Sequence, residues 1–187
     1  MEKYFFIFEG KTFIQRLTDS LSSVVDEIVL VAKNPEQCRR FRHLDKITCV
    51  NDKVPGLGPI GGLQAGLDAV KGDEIFVCAC DMPCVSHDVV GYLFSVLDTY
   101  DAVIPSWDAH MLEPLHAVYR RPALVAYLEK HDSFSLRQMI KNLNCRYVNV
   151  STLRHIDPEL ITFTNINKIE DLEKIDMRES GRTDERL

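Results

Sequence analysis

Apolar residues recur along this chain in two rhythms: short unbroken runs, and longer stretches with an apolar position every third or fourth residue. The most prominent run is Glu74–Val85, EIFVCACDMPCV, where six mostly apolar residues precede Asp81-Met82-Pro83. A run of that length, with charge before it and proline after it, predicts a central parallel strand buried on both faces rather than a helix. Upstream, Tyr4–Phe8 (YFFIF) predicts a strand and Glu9-Gly10-Lys11 a turn. Thr12 then caps a helix to about Leu21, with Phe13, Ile14, Leu17 and Leu21 on one face. Glu27–Ala32 predicts a second buried strand, followed by a short helix after Pro35 and a strand near Ile47–Val50. A loop over 51–59 opens into a helix over Ile60–Val70, in which Leu63, Leu67 and Val70 have helical spacing.

After the prominent run, Ser86–Tyr100 predicts a helix, Ala102–Pro105 a strand, Ser106–Leu112 a loop or lid containing Trp107 and His110, and Leu115–Tyr119 another strand. Pro122–Glu129 and Ser135–Leu143 follow as helices, Arg146–Val150 and Ile161–Thr164 as strands, and Lys168–Ile175 as a closing helix. Repeated strand-helix-strand units of this kind predict an α/β fold with parallel strands.

Composition narrows the picture. At 187 residues and 45% hydrophobic, the chain can bury one ordinary core, which predicts one domain over residues 1–177 and a polar, fraying tail over 178–187. A net charge of −6 argues against a broad nucleic-acid surface while leaving room for a local basic pocket for one nucleotide. The apolar runs are too short to span a membrane, and Met1-Glu2-Lys3 opens no signal-peptide-like region, so a cytoplasmic location is expected. Cys78, Cys80 and Cys84 lie close together, but Cys38, Cys49 and Cys145 are scattered without CxxC spacing, which favours buried, reduced thiols over a metal or redox site. The histidines form no HExxH-like pair, so zinc is not expected.

Three stretches carry candidate chemistry. Asp81, at the carboxyl end of its strand, stands where open α/β sheets place ligands and where a carboxylate can hold a divalent ion. Its bland alternative is a helix cap, a role for which Ser86 is better placed. Gly56-Leu57-Gly58-Pro59-Ile60-Gly61-Gly62 packs four glycines into seven residues before a helix, allowing close backbone approach to a ligand. It is neither a P-loop nor a GxGxxG fingerprint, and a tight turn alone would explain one or two of those glycines. Asn165-Ile166-Asn167 precedes the last helix. Asn167 reads as an ordinary cap there, while Asn165 points the same way and can hydrogen-bond a substrate.

GPIGGL at 58–63, CDMP at 80–83, EPLHAVYRR at 113–121 and NINKIEDL at 165–172 together resemble, in order, the motifs of the MobA-like nucleotidyltransferases, above all the molybdenum cofactor guanylyltransferases. The resemblance covers nearly the whole chain. It implies a Rossmann-like three-layer sandwich with a mostly parallel central sheet, and transfer of GMP from GTP-Mg²⁺ to the terminal phosphate of molybdopterin with release of pyrophosphate. On it, Asp81 is the magnesium-binding and catalytic aspartate and Asp52 a second nucleotide-site aspartate. Gly58, Pro59, Gly61 and Gly62 line the nucleotide pocket, and Asn165 and Asn167 face the pterin phosphate and the metal. Transient contact with other cofactor-assembly proteins or apo-molybdoenzymes is also implied.

One departure is large. The family opens with a strand and a loop of the form LAGGxSxRMGxxK, and this chain shows only Lys3 in the place of its final lysine. The expectation is therefore a sheet without its first strand and phosphate loop, in a chain that dimerises, is poorly soluble or binds GTP weakly at an open site. Two other readings stand beside the first. One is a neighbouring transferase, using CTP with molybdopterin or GTP with cobinamide phosphate or phospholactate. The other is an inactive nucleotide- or cofactor-binding homologue.

Overall fold

Helix starts in this protein are set by small polar caps. In the computed structural model, which describes residues 3–8, 10–44, 47–52, 56–131 and 135–166 (of Lys3, the backbone alone), the Thr12 hydroxyl accepts the Gln15 amide at 3.3 Å, while the Gln15 side-chain carbonyl accepts the Thr12 amide at 2.9 Å. This reciprocal capping box starts helix α1 (Phe13–Leu21), whose buried face is Phe13, Ile14, Leu17, Thr18 and Leu21. Asn34, Ser86 and Ser135 cap α2 (Pro35–Arg40), α4 (His87–Ser95) and α6 (Leu136–Asn142) in the same way, each side chain accepting an amide three residues on. Caps of this type contribute about 1 kcal/mol each. The other two helices, α3 (Pro59–Leu67) and α5 (Arg121–Lys130), have proline in their first turn, where a missing N–H costs nothing.

The strands fall into three groups. A hairpin of β1 (Ile7–Phe8) and β2 (Lys11–Thr12) precedes α1. Strands β3 (Ile28–Ala32) and β4 (Ile47–Asn51) pair in parallel, with Ile28 opposite Ile47 and Ala32 opposite Asn51. Strands β5 (Glu74–Cys78), β6 (Ala102–Ser106), β7 (His116–Arg120) and β8 (Cys145–Asn149) form a sheet in the order β5-β7-β6-β8. Strands β6 and β8 are parallel, but β7 runs against both β5 and β6. The reason is local: no helix lies between β6 and β7, so the chain returns through a loop and enters the sheet reversed.

Alternation along the strands builds a layered core. Ala102 and Ile104 of β6 and Ala117 and Tyr119 of β7 face α3, α5 and α6, meeting Ile60, Leu124 and Met139. The intervening Val103 and Val118 face the opposite layer, Val89 and Leu93 of α4 with Leu153 and Phe163. Strand β3 joins α1 and α4 through Leu30 and Ala32, against Ile14, Leu17 and Val90. The three-layer α/β expectation holds, with β7 as the reversed strand.

Other expectations are corrected. Tyr4–Phe8 is a 3-10 turn over Lys3–Phe5 followed by the short β1, because Tyr4 and Phe5 pack their rings around Phe41 instead of pairing along a neighbour. Ile161–Thr164 is a 3-10 turn over Ile161–Phe163, entered through Leu160 at φ +54°, and the Thr162 amide donates to the Asp157 carboxylate rather than to a strand. Cys38 of α2 and Cys49 of β4 form a disulfide, their Cα atoms 5.8 Å apart. Adjacent elements bring them together, which sequence spacing does not reveal. The closing helix over Lys168–Ile175 and the tail lie outside the described residues. Among the described residues, no helix is long and apolar enough to cross a membrane.

Candidate functional site

The two ends of the sheets are chemically distinct. At the amino end, the Glu27 carboxylate just before β3 accepts the Lys71 amide at 2.6 Å and the Gly72 amide at 2.9 Å, just before β5. These bonds, from Gly72 and Lys71, hold the Glu27 carboxyl below its ordinary range. They also place the starts of β3 and β5 side by side, so β3, β4 and β5 share one direction and their carboxyl ends lie at one edge. Arg120 and Arg121, the last residues of the EPLHAVYRR motif, also belong to the amino end. Arg120 meets Glu74 at 3.2 Å, and Arg121 donates its amide to the Asp73 carbonyl at 2.7 Å and its Nε to the Leu67 carbonyl at 3.4 Å.

At the carboxyl end, Asp52 follows β4 directly and donates its amide to the Ala32 carbonyl of β3 at 2.7 Å. Its carboxylate abuts the start of α3: a Cβ placed on Gly61 would lie 3.2 Å from Asp52 Oδ1 and 3.0 Å from Leu57 Cβ. Gly61 is glycine because the aspartate and the loop close on it. Gly58 has φ +62° and starts α3 with no side-chain cap, a conformation that nearly every other residue resists. Pro59 is the first residue of that helix, and Gly62 turns toward Val31 of β3. The structure thus brings Asp52, Gly58, Pro59, Gly61 and Gly62 together around the start of α3.

Asp81 lies three residues beyond β5. Its carbonyl accepts the Ile166 amide at 2.9 Å, which sets Asn165 next to it although the two are far apart in sequence. The approach to Asn165 is fixed by a buried network. The Thr162 amide donates to Asp157 Oδ2 at 2.9 Å, the Thr162 hydroxyl accepts the Ser86 amide at 2.9 Å, and the same hydroxyl lies 3.2 Å from His116 Nε2. Asn165 itself is exposed. Asn167 and the Lys3 side chain lie outside the described residues. The sequence reading missed Asp157, whose signal was the Asp157-Pro158 pair, a turn signature placed just before the segment it anchors.

The His116 imidazole and the Cys78 and Cys80 thiols at this edge are neutral. His116 is fully buried between Phe76 and Phe163, and burial lowers its imidazole to about 3. It is a packing residue: Nε2 has the Thr162 hydroxyl as its partner, and Nδ1 has none among the described residues. Burial pushes the Cys80 thiol up to about 11, with the Asp81 charge adding to it, and raises Cys78 further. Protonated thiols are poor nucleophiles and poor metal ligands, so no covalent step falls to them. What the edge offers is carboxylate oxygen, exposed amide side chain and helix-start backbone, a set suited to orienting a polyphosphate.

A family model described as the MobA-like NTP transferase domain matches residues 1–148. A probable molybdenum cofactor guanylyltransferase from Methanosarcina mazei is 39% identical over 184 residues, covering 94% of this chain and 82% of that protein. A molybdenum cofactor guanylyltransferase from Desulfosudis oleivorans is 32% identical over 176 residues, 92% of this chain and 84% of that one. Among solved structures, the molybdopterin-guanine dinucleotide biosynthesis protein A of Archaeoglobus fulgidus superposes with a TM-score of 0.77 at 29% identity, over 97% of this chain and 92% of its own. Family model, relatives and fold agree, and the chain belongs to the MobA-like NTP transferase domain family.

Proposed function

We propose that this protein is a molybdenum cofactor guanylyltransferase, moving GMP from GTP to the terminal phosphate of molybdopterin and releasing pyrophosphate. The observation that carries the reading is the Asp81–Ile166 backbone bond, which seats Asn165 beside Asp81 at the same sheet edge where Asp52 closes on Gly61. One side of that edge suits a nucleotide and the other an acceptor. The relatives' names supply the two substrates.

In this reading the backbone at Gly58–Gly62 lies against the nucleotide, and Asp52 orients it. Asn165 hydrogen-bonds the acceptor phosphate so that its oxygen faces the α-phosphorus of GTP. A new P–O bond forms there as the bond to pyrophosphate breaks, with charge spread over phosphoryl oxygens, so positioning and donors matter more than a protein nucleophile. Magnesium fits the donor set. Among the described residues no group of three or more acidic, histidine or cysteine side chains gathers, and Mg²⁺ typically needs only one or two carboxylates beside water and phosphate. Asp81 would hold it, and the bound ion would neutralise charge on the triphosphate.

The test is pyrophosphate release from GTP with molybdopterin and magnesium, together with calorimetry of GTP, CTP and ATP. GTP-dependent release with GTP bound most tightly is the expected result. Release with CTP alone, or nucleotide binding without any turnover, would overturn the assignment.

A further inference from the structure

Among the described residues, the large apolar side chains left exposed are Ile7, Trp107, Met111 and Tyr147. Ile7 lies in the β1–β2 hairpin and Tyr147 within the edge strand β8. Trp107 and Met111 stand in the loop between β6 and β7. Because β5 and β6 both run against β7, they share a direction, and Trp107, the first residue after β6, emerges at the same carboxyl edge as Asp81. The order β5-β7-β6, with β3 tied to β5 through Glu27, puts Trp107 on the side of Asp81 turned away from Asp52. Its surroundings hold it still. The indole meets the Phe163 ring edge to face, centroids 5.8 Å apart at 70°, and its Nε1 donates to the Glu113 carboxylate at 2.8 Å. The loop is closed by the Trp107 amide on the Met111 carbonyl and the Glu113 amide on the Pro105 carbonyl, both at 2.9 Å. Asp108 Oδ1 braces it further, accepting the His110 amide at 2.7 Å and the Met111 amide at 2.8 Å. Trp107 nevertheless remains 40% exposed. A scattered exposed apolar residue needs no explanation, but an indole fixed at its backbone, ring and Nε1 and still open to water is a prepared surface.

We infer that Trp107 is the stacking platform for the pterin ring of the acceptor, with Met111 flanking it and Asn165 at the phosphate end. The inference rests on the guanylyltransferase reading, which supplies molybdopterin as the acceptor. That molecule has a flat, electron-poor pyrimidinone ring at one end and a phosphate at the other, and an electron-rich indole stacks well on such a ring. Phe163, which carries the indole, lies two residues before Asn165, so ring platform and phosphate contact are borne by one segment, itself tied to Asp81 through Ile166. The polarizable Met111 thioether, 56% exposed in the same loop, adapts to the rim of a ring. The nucleobase is the other flat ring in the reaction, but the glycine-rich turn and Asp52 lie across Asp81 from Trp107. Trp107 thereby selects among acceptors: phospholactate has a phosphate for Asn165 but no ring for the indole.

The probe is 6-hydroxymethylpterin phosphate, one pterin ring and one phosphate, titrated into the full chain with magnesium and without nucleotide. Its own emission is followed: anisotropy gives the affinity, and quenching reports contact with an indole. Trp107 is the only tryptophan of the chain, so indole quenching has no other source. Saturable binding with quenching is expected. Trp107→Leu should weaken it about tenfold, Trp107→Phe less because a ring remains, and both should lose the quenching. GTP affinity by calorimetry should stay nearly unchanged in both variants. If Trp107→Leu does not fold by far-UV circular dichroism, Trp107→Phe decides alone: quenching lost and affinity reduced supports the platform, and both kept overturns it. No saturable binding, equal affinity of wild type and Trp107→Leu for the probe, or weakened GTP with unchanged probe affinity would each overturn the inference, the last by giving the indole to the nucleobase. The binding assay involves no turnover, so the two readings fail separately. Trp107-dependent pterin binding without pyrophosphate release would sink the transferase reading alone, and pyrophosphate release with Trp107-independent pterin binding would sink the platform alone.

Discussion

The buried imidazole of His116 makes folding stability depend on pH in a way that can be calculated. Its folded value is about 3 against an ordinary 6.5, with burial as the cause. The folded state therefore keeps it neutral while the unfolded chain takes up a proton below about pH 6.5, so stability is fully present above that value and falls as pH drops toward the folded value. Each unit of separation is worth about 1.4 kcal/mol, so going from about pH 7.5 to about pH 5 should remove roughly 2 kcal/mol. His116→Met keeps an adaptable apolar side chain in the site and abolishes the titration. It has its own fixed cost, since the contact to Thr162 at 3.2 Å is lost, but that cost does not vary with pH. Glu27 and Asp108, both lowered by backbone hydrogen bonds, lose their contributions only as pH falls below the ordinary carboxylate range and do so in both proteins. Urea unfolding of the two proteins at each pH gives the answer. The gap between them should narrow by roughly 2 kcal/mol at the lower pH. Parallel pH dependence of wild type and variant would refute the reasoning.

Asp81→Asn should abolish pyrophosphate release while leaving the backbone bond to Ile166 intact, so the unfolding free energy from urea melts should change far less than activity does. Near-normal turnover would remove Asp81 from the metal role. Gly61→Ala places a methyl 3.0 Å from Leu57 Cβ and 3.2 Å from Asp52 Oδ1, so it should cost about 1–3 kcal/mol and weaken GTP in calorimetry. Unchanged GTP affinity would separate Asp52 from the nucleotide. Asn165→Ala, at an exposed position, should weaken molybdopterin binding and leave GTP binding and Tm nearly unchanged. Equal loss of both ligands would point to a disturbed segment rather than a lost contact.

Elements governed by local chemistry were legible in the sequence. The Thr12 and Ser86 caps act as their residue types suggest, and the strands at 28–32, 47–51 and 74–78 follow their apolar runs. Features decided by distant contacts were not. Aromatic Tyr4 and Phe5 read as strand, yet their rings pack on Phe41 and their backbone forms a 3-10 turn. The apolar Ile161–Thr164 reads as strand, yet the Asp157 carboxylate takes the Thr162 amide first. Strand β5 reads as buried on both sides, but burial depends on a neighbour and one of its edges has none among the described residues. At the candidate site the sequence pointed to glycines as room for a ligand, and the fold shows that at Gly61 it is Leu57 and the Asp52 carboxylate of the chain itself that close in.

The bond between the Ile166 amide and the Asp81 carbonyl is made entirely by main chain. Position 165 is therefore held in place without its own side chain taking part, and mutation can try residue after residue there with its place beside Asp81 kept. Proline at 166 is the exception, because it lacks the N–H that makes the tether. On the proposed reading, single substitutions at 165 change what meets the acceptor and cost the fold little, whereas a change at Gly61 disturbs the loop and the aspartate together. Variation among relatives should therefore collect at 165 and spare 61, and acceptor preference becomes the more evolvable half of the site.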